Sequence, residues 1–169
     1  CTNLILDAKA KNVKAEGGLY MLVMQAVVAV EKFLDTSIDK EVADKVFSSI
    51  LSAKENIVLT GMPGSGKSTV GKLINVDGFE IIDTDVEIEK RCGCTIKELI
   101  NDKGEKYFRD LESEVIKEVS QEGGRIISTG GGVILDEENI RNLKQNGLII
   151  FLDKNIDNIS LSNKNRPLI

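Results

Sequence analysis

Residues 57 to 69 read IVLTGMPGSGKST. A short β-branched run ends at Thr60 and enters Gly61-Met62-Pro63-Gly64-Ser65-Gly66-Lys67-Ser68-Thr69, which satisfies the spacing G-x-x-x-x-G-K-[ST]. Glycines at these places allow positive φ and bring the backbone close to oxygen atoms. Successive N–H groups and the N-terminus of the following helix then surround an anion. Lys67 adds a cation directed at the β- and γ-phosphates of a nucleotide, and the Ser68 hydroxyl can ligate Mg²⁺. A plain turn of small residues would also fit the bare pattern. The strand before it and the helix after it are the context that a phosphate loop needs.

Outward from this loop, the chain alternates strand and helix. The loop helix is expected over about 66–74 and a second strand over 79–82, ending at Asp83. Helices follow at about 84–91, 95–102 and 104–122. A third strand at 125–128 closes on Thr129-Gly130-Gly131-Gly132, and a helix at 136–145 leads to a fourth strand at 148–152. Strands this short, alternating with helices, imply an α/β fold: a parallel sheet covered by helices on both faces.

Before the loop the pattern differs. Short and long helical segments are expected at about 4–12, 19–34 and 39–52. The 19–34 segment, LYMLVMQAVVAVEKFL, is apolar on nearly every face and is expected to be buried on several sides. The natural division gives an N-terminal helical appendage, 1–52, and an α/β body, 55–169.

Composition narrows the chemistry. The formal charge is −5 and the pI about 4.9, so the basic face of a general nucleic-acid binder is not expected. No apolar run is long enough to span a bilayer. Three cysteines (Cys1, Cys92 and Cys94) make no paired framework and suit a reducing cytoplasm. The absence of histidine removes every His-based triad or general base, leaving a carboxylate, a lysine or water to accept a proton.

Three constellations sit where a parallel sheet presents functional groups, at or beyond strand C-termini. Asp83-Thr84-Asp85 offers two carboxylates that can divide the holding of Mg²⁺-bound water and the acceptance of a hydroxyl proton; either can instead cap a helix. Arg109, in GEKYFRDLE, has ion-pair partners at helical spacing in Glu105 and Glu112. Ser128-Thr129-Gly130-Gly131-Gly132 spends three glycines directly after a strand, which suggests the close approach of a ligand or another backbone.

From 56 to 169 the ordered set TGMPGSGKSTVGK, IIDTDVEIE, GEKYFRDLE, ISTGGGVI and RPL resembles the shikimate kinases. The resemblance implies a P-loop NTPase-like sheet of the nucleoside-monophosphate-kinase kind. It also implies transfer of the γ-phosphoryl group of ATP to the 3-hydroxyl of shikimate, with Mg²⁺. Carried over, Asp85 would engage the acceptor hydroxyls and serve as base, and Asp83 would hold the Mg²⁺ shell with Ser68. Arg109 would pair with the shikimate carboxylate, and Gly131 and Gly132 would offer backbone N–H groups. Arg166 resembles the arginine of the lid that closes over the phosphates. Gly61, Gly64, Ser65, Gly66, Lys67, Ser68 and Thr69 would hold the ATP phosphates. Two alternatives stay open: another small-molecule P-loop kinase, for gluconate or a nucleoside monophosphate, and a non-catalytic nucleotide-binding module.

Residues 1–35 resemble something else. Gly18-Leu-Tyr-Met-Leu-Val-Met-Gln25 is similar to the GL-x-ML-x-x-Q segment near the C-terminus of shikimate dehydrogenases, which would make Gln25 a substrate-contacting position there. With Cys1 in place of a starting Met, this suggests a piece of a dehydrogenase–kinase fusion, or association with such a dehydrogenase. The family's segment after the lid arginine is not in the sequence, so weak activity or none is expected of this piece alone.

Overall fold

The computed structural model describes residues 2–74 and 76–154. Cα packing divides the chain into two compact units, 1–55 and 56–169.

The N-terminal unit holds α1 (Asn3–Ala10), α2 (Leu19–Leu34) and α3 (Lys40–Lys54). Asp35 at φ 46° stops α2, and the Asp39 side chain starts α3 by accepting from the Glu41 N–H. Tyr20 packs edge-on against Phe47 at 5.3 Å between ring centroids, and Val23 and Ala43 are buried. The expected burial of α2 on several sides is not found. Met21, Leu22, Phe33 and Leu34 are exposed, Phe33 by 88 %. α3 covers the stripe of α2 that faces it, which is narrower than the apolar surface of that helix.

The second unit holds β1 (Asn56–Gly61), α4 (Lys67–Leu73), β2 (Glu80–Asp83), α5 (Thr84–Cys92), α6 (Ile96–Val119), β3 (Arg125–Ser128), a 3₁₀ turn (Val133–Leu135), α7 (Glu137–Asn146) and β4 (Gly147–Leu152). Its four described strands are parallel in the order β2-β3-β1-β4. β1 is flanked on both sides, which is why Val58, Leu59 and Thr60 are all buried rather than alternating. Val58 and Ile127 from the sheet meet Ile88, Phe108, Val115, Ile116 and Leu143 from the helices in one core.

The two helices expected on either side of residue 103 run as one element, α6, broken at Gly104, which holds φ 86° and ψ 162°. Thr95 and Glu98 form a reciprocal capping box at its start. Its end comes at Val119, where Ser120 turns its hydroxyl onto the Ile116 carbonyl at 2.6 Å.

Parallel register sets the functional end. Asp83 of β2 lies beside Ser128 of β3, and Ser128 beside Leu59 of β1, two residues before Gly61. The phosphate loop, the Asp83–Asp85 turn and the glycine turn therefore leave the sheet on one edge.

Candidate active site

The loop after β1 meets the geometric demands of an anion cradle. Gly66 is the N-cap of α4 at φ 99°, and Gly64 holds φ 79°. Gly61 holds φ 146°, and a Cβ there would come within 2.5 Å of the Leu152 carbonyl oxygen at the end of β4. Lys67 is 6 % exposed and folds back along the loop, donating from Nζ to the carbonyls of Gly61 and Met62 at 2.8 and 2.9 Å. The Ser65 hydroxyl is buried without a hydrogen-bond partner among the described residues. Thr69 follows in the first turn of α4.

Ser68, at the second position of α4, donates its hydroxyl to Asp83 Oδ2 at 2.6 Å and lies 3.4 Å from the Ser128 hydroxyl. The other oxygen of Asp83 accepts from the Asp85 N–H at 3.1 Å and so caps α5. One carboxylate thus serves both as helix cap and as partner of the phosphate-loop serine. Oxygen atoms from Ser68, Asp83 and Ser128 are the hard donors a small divalent cation prefers. Thr84, between the two aspartates, is fully buried and accepts from the Gly130 N–H at 3.2 Å. That bond ties the glycine turn to the end of β2.

Each glycine of the turn makes room for a different group. A Cβ on Gly130 would come within 2.8 Å of Glu112 Oε1 and 3.0 Å of Asp85 Oδ1. One on Gly131 would meet Pro63 Cδ at 2.9 Å, so the turn packs against the phosphate loop itself. One on Gly132 would run into the Arg109 guanidinium, 2.8 Å from Cζ and closer still to Nη1. Three sets of protein side chains thus approach these glycines closely.

Arg109 stands on α6 in both ion pairs that helical spacing offers. It donates to Glu112 Oε2 at 2.8 Å and, at an exposed 3.4 Å, to Glu105. Glu112 is 2 % exposed. Burial pushes its carboxyl above the ordinary value, Arg109 pulls it back, and the nearby charges of Asp85 and Asp136 push it up again, with a net rise. Arg109 itself lies over the ring of Phe108 at 5.1 Å.

Asp83, Asp85, Arg109, Gly131 and Gly132 therefore gather beside the phosphate loop. Arg166 lies outside the described residues. Glu112, Thr84, Ser128 and Gly130 were not singled out as site residues from sequence. Glu112 had a signal in its helical spacing from Arg109, and Ser128 one in its place at the end of a strand; Thr84 had none. Among the described residues no cluster of three or more His, Cys, Asp or Glu could hold a metal ion, and no helix is long and apolar enough to cross a membrane.

A parallel sheet whose inner strand feeds a glycine-rich loop into a helix N-terminus defines a P-loop nucleotide-binding fold. Within that class the chain belongs to the shikimate kinase family, whose family model, described as "Shikimate kinase", matches residues 63–169. It is 48 % identical over 105 residues to a shikimate kinase of Persephonella marina and 52 % identical over 100 residues to one of Caldicellulosiruptor bescii. Those matches cover 62 and 58 % of this chain and 64 and 58 % of the relatives, so the chain spans about three-fifths of their length. Among solved structures, the shikimate kinase from Acinetobacter baumannii in complex with shikimate aligns with a TM-score of 0.65 and 36 % identity, covering 72 % of this chain and 70 % of that one.

Proposed function

We propose that this chain transfers the γ-phosphoryl group of ATP to the 3-hydroxyl of shikimate. The observation that carries the reading is the glycine turn. It is packed on Pro63 of the phosphate loop and at the same time abuts Asp85 and Arg109, so a phosphoryl donor and a hydroxy-acid acceptor would share one small space.

The phosphate loop and α4 N-terminus hold the ATP phosphates through backbone N–H groups, and Lys67 exchanges its loop carbonyls for phosphate oxygens. Ser68 and Asp83, the latter through a water, would hold Mg²⁺, with the Ser128 hydroxyl at hand. When bound, the ion neutralises charge on the β- and γ-phosphates. Arg109 grips the acceptor carboxylate, for which a planar guanidinium is suited to two parallel hydrogen bonds. Gly131 and Gly132 bring backbone N–H groups to the acceptor. Asp85 receives the proton of the acceptor hydroxyl at its carboxylate. The role assigned to Arg166 is to neutralise the charge that develops on the transferred group.

The cytoplasm, where free thiols stay reduced, is the compartment inferred for this chemistry. Residues 1–52 are read as the tail of a shikimate dehydrogenase, covalently or non-covalently associated with the kinase body. The decisive experiment measures ADP release by the purified protein with ATP and shikimate, gluconate or AMP. ADP release only with shikimate supports the reading, and turnover with gluconate or AMP alone overturns it.

A further inference from the structure

A cavity of about 250 Å³ lies between the middle of α6 and the start of α7, lined in part by Arg109, Glu112, Ser113, Gly132, Asp136 and Asn139. Asn139 is the third residue of α7 and only 2 % exposed. The other buried residue of that helix is Leu143, one turn further on, so Asn139 occupies the apolar face. Its Oδ1 is buried and has no hydrogen-bond partner among the described residues. An amide at such a position is costly unless a donor reaches it.

Two side chains lining the same cavity can donate, Ser113 and Arg109. A helical serine can satisfy its hydroxyl on the carbonyl one turn back. A guanidinium has five N–H groups. Among the described residues Arg109 uses one on Glu112 at 2.8 Å and one weakly on Glu105 at 3.4 Å. A charged donor also forms the stronger bond.

We propose that Asn139 is a positioning residue for Arg109. Its Oδ1 accepts from a water in the shared cavity that in turn accepts a guanidinium N–H, and this bridge holds the guanidinium over Gly132 with its remaining donors facing the acceptor. Glu112 anchors the guanidinium by charge, and Asn139 adds a second anchor that fixes its orientation. The inference rests on the acceptor role proposed above for Arg109.

The test has two arms, both on the full-length protein. In a high-resolution crystal structure, Asn139 Oδ1 should lie within hydrogen-bonding distance of a water that an Arg109 N–H shares. Pairing with Ser113 alone overturns the proposal. In kinetics, Asn139→Leu, apolar and close in size, should raise the KM for shikimate about tenfold, the worth of one such bond. The kcat and the KM for ATP should stay within about twofold. Asn139→Ala serves the same purpose should leucine not be accommodated. An unchanged shikimate KM, or ATP and shikimate KM values moving together with a lowered Tm, means a merely structural role and overturns the proposal. If the wild-type protein does not phosphorylate shikimate, the proposed function falls while the crystallographic arm still decides the place of Asn139.

Discussion

The Ser68 hydroxyl donates to Asp83 Oδ2 at 2.6 Å, joining the first turn of the phosphate-loop helix to the end of β2, while Asp83 Oδ1 caps α5. The two oxygens of one carboxylate can be separated by mutation. Asp83→Asn keeps a good N-cap, so stability should change little, but it loses the charge that favours Mg²⁺. ATP affinity measured by calorimetry should then fall in the presence of Mg²⁺ and hardly change with EDTA. Asp83→Ala should show the same binding defect and lose about 1 kcal/mol of stability besides. Equal stabilities for the two variants would argue against the capping role.

Asp85 and Arg109 should separate chemistry from acceptor binding. Asp85→Asn should lower turnover by a factor on the order of 10² to 10⁴ with ADP affinity nearly intact, the scale for losing a positioned acid–base group. Arg109→Lys should chiefly raise the KM for shikimate, because a lysine ammonium cannot make the paired bonds of a guanidinium. Were both to weaken ADP binding and spare shikimate, the assignments would be reversed or wrong.

The glycine turn gives a contrast between neighbours. In Gly132→Ala the new methyl group occupies the space of the Arg109 guanidinium, so the shikimate KM should rise by about tenfold or more with the ATP KM unchanged. In Gly131→Ala it meets Pro63 instead, so the ATP KM should rise as well. Steady-state kinetics with each substrate varied in turn would show the difference.

Glu112 should leave a mark on the pH dependence of stability. Its carboxyl holds a proton above the ordinary value of 4.5 in the folded protein. Between that value and the raised one the folded state binds more protons than the unfolded chain, so stability should fall as pH rises. Glu112→Gln cannot titrate, and its denaturation free energy should be flatter across this window. A slope equal to that of wild type would place the titration elsewhere.

Much of the α/β body could be read in advance because its signals are local. The G-x-x-x-x-G-K-S spacing, the β-branched strands and the carboxylates at strand ends depend on residues close in sequence, and the strands appear where the alternation placed them. The least legible parts depended on distant neighbours. Nothing local distinguishes Thr84 from any buried threonine until the Gly130 N–H arrives from a residue 46 positions away. The apolar faces of α2 could not tell how many neighbours that helix would meet. Glu112 looked like half of a surface ion pair, and only the packing of α6 on the sheet makes it a buried carboxylate facing Gly130.

By itself the sequence determined that a nucleotide's phosphates can be held after β1, because a backbone anion cradle is built from consecutive residues. The tertiary structure alone decided that Pro63, Asp85, Arg109 and Glu112 converge on three successive glycines. Parallel register brings β1, β2 and β3 to a common edge, and only residues without a Cβ leave room there for all of those groups.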